Sequence, residues 1–267
     1  MSGQSPPSPQ TPRRSPIAAV RRAWIAFALV TAVLVSGGLY VSGEISREGA
    51  LTAVRQDALN DAGLKGALLR AVLERPRALP LVLADDAELR SALFEASEGA
   101  IARLDRKLEQ LAKLTKVSVI YVIRPDGIAM AASNWNEPDS FVGRDYGFRE
   151  YFQRAVAEGG AEHYALGTVS KRPGLYISRR VEGGDGSLLG VVVVKVEFDG
   201  LEQDWGLSGK PAFVTDRQGI VLVTSRPEWR FLTTRPLGDD ERAHIRESLQ
   251  FGAAPLEPIP TLAGDLE

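Results

Sequence analysis

Cysteine is absent from this 267-residue sequence, and it contains only two histidines, His163 and His244, far apart in the chain. The chain therefore has no disulfides, no thiolate catalysis and no cysteine-ligated zinc. Two distant histidines also argue against a histidine-rich metal site and a serine–histidine triad. A basic excess is missing too, since the formal net charge is −2 and nucleic-acid binders usually carry a clear positive charge. We therefore expect no nucleic-acid partner, no cofactor and no catalytic site in this chain.

One long apolar run is present, Ala23 to Val41, with nineteen residues and no charge. A helix of that length spans roughly 28 Å, close to the thickness of a bilayer's hydrocarbon core. Trp24 and Tyr40 lie near its ends, where amphipathic rings prefer the membrane interface. The arginines that precede the run place its N-terminal side in the cytoplasm; they are Arg13, Arg14, Arg21 and Arg22. We predict a transmembrane helix over 23–42 in a bacterial inner membrane.

The flanks of this segment leave one alternative open. Residues 1–22 begin with five prolines among Ser, Gln and Thr, a composition typical of a disordered cytoplasmic tail. Small residues around Val35-Ser36-Gly37 would also suit the cleavage site of a signal peptide, although the apolar run is longer than a signal peptide needs. Both interpretations place everything after Ser42 outside the cytoplasm, in the periplasm.

Two helices are predicted next. Apolar residues recur at three-, four- and seven-residue steps from Ile45 to about Leu73, and Pro76 and Pro80 are predicted to end that helix. A second amphipathic helix is predicted from Leu89 to Leu111. Packing in a core explains both helices, and that explanation is compatible with a signalling role for the first.

The pattern changes at Lys116 to short β-branched and aromatic runs separated by turn residues. The predicted strands are 117–123, 128–133, 163–168, 175–181 and 188–198, with a short helix at 148–158. Helices followed by antiparallel strands indicate an α+β domain with a five-stranded, PAS-like sheet. We assign the stalk helix and this membrane-distal, ligand-binding domain to residues 43–200.

A second, smaller module is predicted over residues 201–267. Pro211–Thr215 and Gly219–Ser225 again form a strand–turn–strand pattern, which echoes the first module about ninety residues earlier. Few residues follow, so this membrane-proximal PAS-like domain would be incomplete. Its last part, 252–267, is predicted to be unstructured.

Residues 133–195 carry a candidate anion site. Cations stand beside turn residues: Arg144, Arg149, Lys171, Arg172 and Arg179. Hydroxyl and amide groups accompany them: Ser133, Asn134, Tyr146, Tyr151, Thr168, Ser170 and Tyr176. Lys195 interrupts an apolar strand. A small carboxylate needs such cations and neutral donors to replace its water shell. The competing interpretation is that Lys195 lies on a solvated strand face and the arginines are solubility charges.

Several segments resemble the double-Cache (tandem PAS-like) sensor region of DctB-like histidine kinases, which sense four-carbon dicarboxylates. They are SNW, SFVGRDYGFREYF, ALGTVSKRPGLYISRRV, GVVVVKVEF and VTDRQGIVLVTSRPEWRFLT, within roughly residues 20 to 240. The resemblance implies a long N-terminal helix, a membrane-distal domain that binds the ligand and a smaller membrane-proximal domain. It implies that the ligand, succinate, fumarate or malate, is held by Arg144 or Tyr146, by Arg149, Thr168, Ser170 and Lys195, with Tyr151 as a pocket wall.

The family normally continues into a second transmembrane helix, a coiled coil and a kinase that uses ATP and passes phosphate to a response regulator. These parts are missing from the sequence, so we expect a truncated piece or a fragmentary reading frame. The resemblance also implies a homodimer.

Other functions stay open at this point. A Cache sensor for an amino acid or another carboxylate, in a chemoreceptor or a cyclase, would need an acid to pair the ammonium, and Asp139, Asp145 or Glu150 would serve. An anchored interaction protein of the envelope would lack a closed polar pocket. An enzyme is disfavoured because no spacing singles out a catalytic pair among the 34 acids.

Overall fold

The structure is a computed structural model, and it describes residues 16–260. Residues 1–15 of the predicted disordered tail and the stretch 261–267 lie outside these residues. Residues 16–22 are helical, so the prediction of disorder is wrong for them. The chain divides into two compact units, residues 1–63 and residues 64–267.

Helix α1 spans Pro16–Ala84. Within the described residues, the first unit consists of the part of this helix up to residue 63. An 18-residue window of this helix has a mean hydropathy of 2.0, with side chains that are exposed throughout. By length and composition it is the single helix, within residues 16–260, that is able to cross a membrane. The predicted transmembrane segment is therefore helical and apolar.

Helix α1 runs through both of the prolines that were predicted to end it, so that prediction is wrong. Pro76 and Pro80 lie inside the helix and are buried. A proline inside a helix removes one backbone hydrogen bond and costs about 3 kcal/mol. Here both rings lie on the buried stripe that also holds Leu73 and Leu83, at steps of three and four residues. Burial of this stripe offsets the lost hydrogen bonds.

The predicted second helix is in fact two helices, α2 at Ala87–Glu95 and α3 at Glu98–Thr115. Ala96 adopts a left-handed conformation, with φ of 50°, and ends α2. Ser97 then caps α3, because its hydroxyl accepts a hydrogen bond from the Ala100 amide. The prediction missed this break because the apolar stripe continues across it.

The predicted five-stranded antiparallel sheet is confirmed. Its elements are β1 Val119–Ile123, β2 Ala129–Ala132, α4 Glu150–Glu158, β3 Gly160–Leu166, β4 Pro173–Glu182 and β5 Leu188–Val196. The strand order is β2-β1-β5-β4-β3. With the long N-terminal helix, this makes the α+β, PAS-like architecture that was expected.

The sheet separates two hydrophobic clusters because successive side chains of a strand point to opposite faces. Ile120 and Val194 belong to the cluster that includes the buried stripes of α1, α2 and α3. Tyr121 and Val193 belong to the other cluster, which includes Tyr151 of α4. The candidate anion site therefore lies on the face of the sheet that α4 covers.

The C-terminal module contains α5 Asp199–Leu207, β6 Phe213–Thr215, β7 Val221–Thr224, a short 3₁₀-helix Pro227–Trp229 and α6 Asp239–Glu247. Its apolar residues share one core cluster with the helical side of the larger sheet. The prediction that the segment after residue 252 is unstructured is wrong for residues 252–260. Leu256 and Ile259 are buried, and the Ile259 amide donates to the Thr233 carbonyl at 2.9 Å. The proposed domain boundary near residue 200 stays a prediction.

The first prediction concerns the core under α3. Leu108→Ala should lower the free energy of unfolding by about 2–5 kcal/mol, because Leu108 is completely buried and alanine leaves a cavity. Chemical unfolding of the full chain in detergent micelles measures this change. Leu114→Ala on the same helix is the matched control, since Leu114 is 80% exposed and its truncation should change stability by less than about 0.5 kcal/mol. Equal losses from both variants would contradict the packing described.

Candidate ligand-binding site

Lys195 is completely buried near the end of β5. Its Nζ atom donates to Ser170 Oγ at 2.8 Å, to the Arg172 carbonyl at 3.1 Å and to Glu197 Oε1 at 2.5 Å. An ammonium group has three donors, so each of them has an acceptor. The interpretation that Lys195 lies on a solvated face is therefore wrong.

Arg149 is the second buried cation, with 3% of its surface exposed. It occupies the N-cap of α4 without capping the helix through its side chain. Instead, Nη2 donates to the Leu166 carbonyl at 2.9 Å and Nη1 to the Leu249 carbonyl at 3.5 Å. The guanidinium carbon also lies 5.0 Å from the centre of the Phe148 ring, within reach of a cation–π contact. The interpretation of Arg149 as a solubility charge is wrong.

The turn between β3 and β4, residues 166–172, connects the two cations. Arg149 binds the carbonyl at the start of this turn, and Lys195 binds the Ser170 hydroxyl and the Arg172 carbonyl. Gly167 lets the turn close, because a Cβ atom there would lie 2.4 Å from Ser170 Oγ and 3.1 Å from the Tyr176 hydroxyl. The side chains of Arg149 and Lys195 thus approach one short turn from two different elements.

Four tyrosines form the wall beside these cations. The Tyr151 and Tyr176 rings stack with centres 4.7 Å apart, and Lys195 Nζ lies 5.8 Å from the centre of the Tyr176 ring. The Tyr121 hydroxyl donates to the Tyr151 hydroxyl at 2.7 Å. The ring of Tyr146 is 5.2 Å from that of Tyr121. This wall therefore presents both aromatic rings and hydroxyl groups.

Two buried donors of the site are left without a hydrogen bond. Among residues 16–260, neither the Nε atom of Arg149 nor the hydroxyl of Tyr146 has a partner. An unsatisfied buried polar group costs about 1–3 kcal/mol, and more when it is charged. A carboxylate oxygen is the acceptor that suits a guanidinium N–H and a phenol O–H best. The arrangement is chemically suited to binding a carboxylate.

Burial controls the ionisation of the site. It lowers the pKa of Lys195, and the neighbouring Glu197 carboxylate partly offsets this effect by favouring the charged ammonium. Burial raises the pKa of Tyr146, Tyr151 and Tyr176, while the positive charge of Arg149 acts in the opposite direction on each of them. These phenols are therefore neutral hydrogen-bonding groups at physiological pH.

Five of the seven predicted site residues lie together around the turn and the aromatic wall: Tyr146, Arg149, Tyr151, Ser170 and Lys195. Arg144 and Thr168 are exposed, so the structure gives less support to their contact with a ligand. That any of the seven binds a ligand stays a prediction.

Sequence reasoning missed two residues of this cluster. Tyr121 was assigned only to a buried strand, although it is the one polar side chain in the run VIYVI. Glu197 falls within the predicted strand 188–198 and was not singled out as a site residue. Its spacing of two residues from a lysine was the signal that the two form an ion pair.

No model of a known protein family matches the sequence. The chain is similar to the C4-dicarboxylate transport sensor protein DctB of Rhizobium meliloti strain 1021, with 58% identity over 240 residues, covering 90% of this chain and 38% of the relative. The protein of the same name from Pseudomonas aeruginosa PAO1 is 34% identical over 192 residues, covering 72% of this chain and 31% of the relative. This chain therefore spans less than two fifths of the length of these relatives.

A solved structure extends the likeness to three dimensions. The sensor domain of the histidine kinase DctB from V. cholerae has a TM-score of 0.73 and 29% identity to this chain. The match covers 78% of this chain and 81% of that sensor domain. The shared part thus includes most of what the structure describes.

The second prediction follows from the burial of the tyrosines. Burial raises the pKa of five of the six tyrosines: Tyr121, Tyr146, Tyr151, Tyr164 and Tyr176. In the folded protein they should not ionise near pH 10, whereas in the unfolded chain they should do so. A raised folded-state pKa contributes stability below about pH 10 that is lost as pH rises further.

Near-ultraviolet absorbance of the phenolate group measures this titration. The control is the same chain in concentrated guanidinium chloride, where all phenols should titrate near their ordinary pKa. Ionisation of several tyrosines near pH 10 in the folded chain would contradict the burial of the wall.

Proposed function

We propose that this chain, over the 240 residues aligned with the Rhizobium meliloti protein, belongs to the DctB family of sensor proteins and that it binds a four-carbon dicarboxylate. Succinate, fumarate and malate are four-carbon dicarboxylates. The observation that carries the proposal is the approach of two buried cations, Arg149 and Lys195, to one turn, 166–172. One cation is available for each carboxylate of the ligand.

A ligand this small needs charged contacts to reach micromolar affinity. Micromolar binding requires roughly −8 kcal/mol. A four-carbon dicarboxylate has about eight non-hydrogen atoms, so each atom must contribute roughly −1 kcal/mol, near the limit for small ligands. Apolar contact cannot supply this to so polar a molecule. Fixed cations and donors that are already oriented by the fold can supply it.

The remaining polar groups fit the same ligand. The hydroxyl of Tyr146 and the Nε atom of Arg149 are buried donors that a carboxylate would satisfy. Ser170 adds a hydroxyl beside Lys195. The stacked rings of Tyr151 and Tyr176 offer apolar area to the carbon chain between the two carboxylates. This combination of charged ends and an apolar middle supports a dicarboxylate.

An amino acid is supported less well because its ammonium group needs an acidic partner. Asp139 and Asp145 are exposed, and the Asp145 carboxylate accepts a hydrogen bond from the backbone amide of Gly147. Glu150 is also exposed and pairs with Arg154 and His163. None of these three acids is buried with the cations, and Glu197, the acid that lies beside Lys195, is already paired with Lys195 and Arg172, so a dicarboxylate remains the better proposal.

The parent protein would be a sensor histidine kinase that regulates dicarboxylate uptake. We infer that α1 anchors it in the inner membrane, that the sensor region is periplasmic and that the protein acts as a homodimer. A kinase that uses ATP and a cognate response regulator would complete the signal path. Ligand binding can shift the equilibrium between the two signalling states of such a sensor only as far as the ligand's affinities for the two states differ.

The third prediction tests the ligand site. Arg149→Ala and Lys195→Ala should each weaken succinate binding by tenfold or more, because each removes the cation opposite one carboxylate. Isothermal titration calorimetry on the full chain in detergent micelles measures the dissociation constants. Arg154→Ala is the matched control, since Arg154 is a half-buried residue of α4, whose N-cap is Arg149, and pairs with Glu150 and Glu158; this change should leave succinate binding unchanged.

Thermal unfolding of the ligand-free variants shows whether each one is folded. Folded variants that bind succinate as tightly as the unaltered chain would refute the assignment of these cations. Failure of the unaltered chain to bind any of the three dicarboxylates would refute the ligand class.

A further inference from the structure

The carboxylate of Glu197 is shared between two cations. One oxygen lies 2.5 Å from Lys195 Nζ, and the other lies 3.0 Å from Nη2 of Arg172. Arg172 also pairs with Asp199 and is more than half exposed, whereas the side chain of Glu197 is 11% exposed. Glu197 thus has one buried cationic partner and one partner at the surface.

A ligand can reach Lys195 only by replacing one of its three acceptors. The Ser170 hydroxyl and the Arg172 carbonyl belong to the closed turn, and both are neutral. The third acceptor is the Glu197 carboxylate, which carries a negative charge. Two carboxylates at one ammonium repel each other strongly in a buried site. Glu197 is therefore the acceptor that an incoming carboxylate displaces, and Arg172 is the cation that retains it.

We propose that Glu197 is a displaceable counter-ion of Lys195 that sets an energetic cost for binding, which a dianion can offset and a monoanion cannot. This inference rests on the proposed function. Breaking the contact between Lys195 and Glu197 is a fixed cost for any ligand that uses Lys195. A dicarboxylate offsets that cost with its second carboxylate at Arg149. A monocarboxylate at Lys195 only exchanges one carboxylate for another and gains little.

The counter-ion also explains how Lys195 stays charged without a ligand. Burial alone favours the neutral amine. Because side chains two residues apart on a strand point to the same face, Glu197 is placed to hold the proton on Lys195. The site thus keeps a charged lysine ready for the ligand while limiting its attraction for monoanions.

The fourth prediction uses Glu197→Gln and Arg172→Gln. Glu197→Gln removes the same cost from every ligand that uses Lys195, so the dissociation constants of succinate and butyrate should each fall at least threefold. The ratio of the two constants should stay about the same. Arg172→Gln removes the cation that retains the displaced Glu197, so the succinate dissociation constant should rise at least threefold. Calorimetry on the full chain in detergent micelles measures the dissociation constants of both ligands.

Glu182→Gln is the matched control, because it makes the same change in net charge at the exposed end of β4, where Glu182 pairs with Arg180. It should leave both dissociation constants unchanged. Equal weakening of both ligands by Glu197→Gln would mean that Glu197 only positions Lys195, and it would overturn the inference. Unchanged succinate binding in Arg172→Gln would overturn it too, even if Glu197→Gln does not fold.

The two proposals fail in different ways. If the unaltered chain binds succinate and Arg149→Ala abolishes this binding, the proposed function stands whatever the result at Glu197. If the unaltered chain does not bind succinate, fumarate or malate, both proposals fall.

Discussion

Two positive charges buried in a small α+β domain are the constraint on which the rest of this structure depends. An ion removed from water loses several kcal/mol of solvation unless partners replace its water shell. Lys195 recovers this loss through one carboxylate and two neutral oxygens. Arg149 recovers part of it through two backbone carbonyls, and its Nε atom stays unsatisfied. The two cations are thus solvated to different degrees before any ligand arrives.

The backbone is shaped around these charges. At Gly174 a Cβ atom would lie 2.6 Å from the Val196 carbonyl and 3.1 Å from Lys195 Cε, so a larger residue would push against the lysine stem. At Gly167 a Cβ atom would lie too close to Ser170 Oγ, so glycine lets the turn close there. Glycines at these points let the sheet pack closely against a long charged side chain. The candidate site is therefore shaped by backbone approach as much as by polar side chains.

Most of the sheet was predictable because its strands are β-branched runs bounded by turn residues. Each predicted strand of the larger sheet overlaps the observed one. The helices were less predictable. Buried prolines at 76 and 80 continue α1 because tertiary packing outweighs local propensity, and that packing is invisible in a periodicity pattern.

The charged residues of the site were also only partly predictable from the sequence. The positions of Arg149 and Lys195 were predicted from chemical composition and resemblance, but a solvated strand face remained a competing interpretation for Lys195. Only the fold shows that the turn 166–172 and α4 cover that face. The spacing of Glu197 from Lys195 is visible in the sequence, but its pairing with Arg172 depends on where β5 ends relative to that turn, which no local pattern encodes.

The contacts of Arg149 also tie the candidate site to the C-terminal module. Its Nη1 atom donates to the Leu249 carbonyl, and the neighbouring Gln250 exchanges hydrogen bonds with β3 at Tyr164 and Leu166. A carboxylate that bound Arg149 through Nη1 would compete with that carbonyl for the same guanidinium nitrogen. The contact at Leu249 and the proposed ligand binding would then be coupled through one side chain. By linkage, the factor by which the Leu249 contact changed ligand affinity would equal the factor by which the ligand changed the strength of that contact.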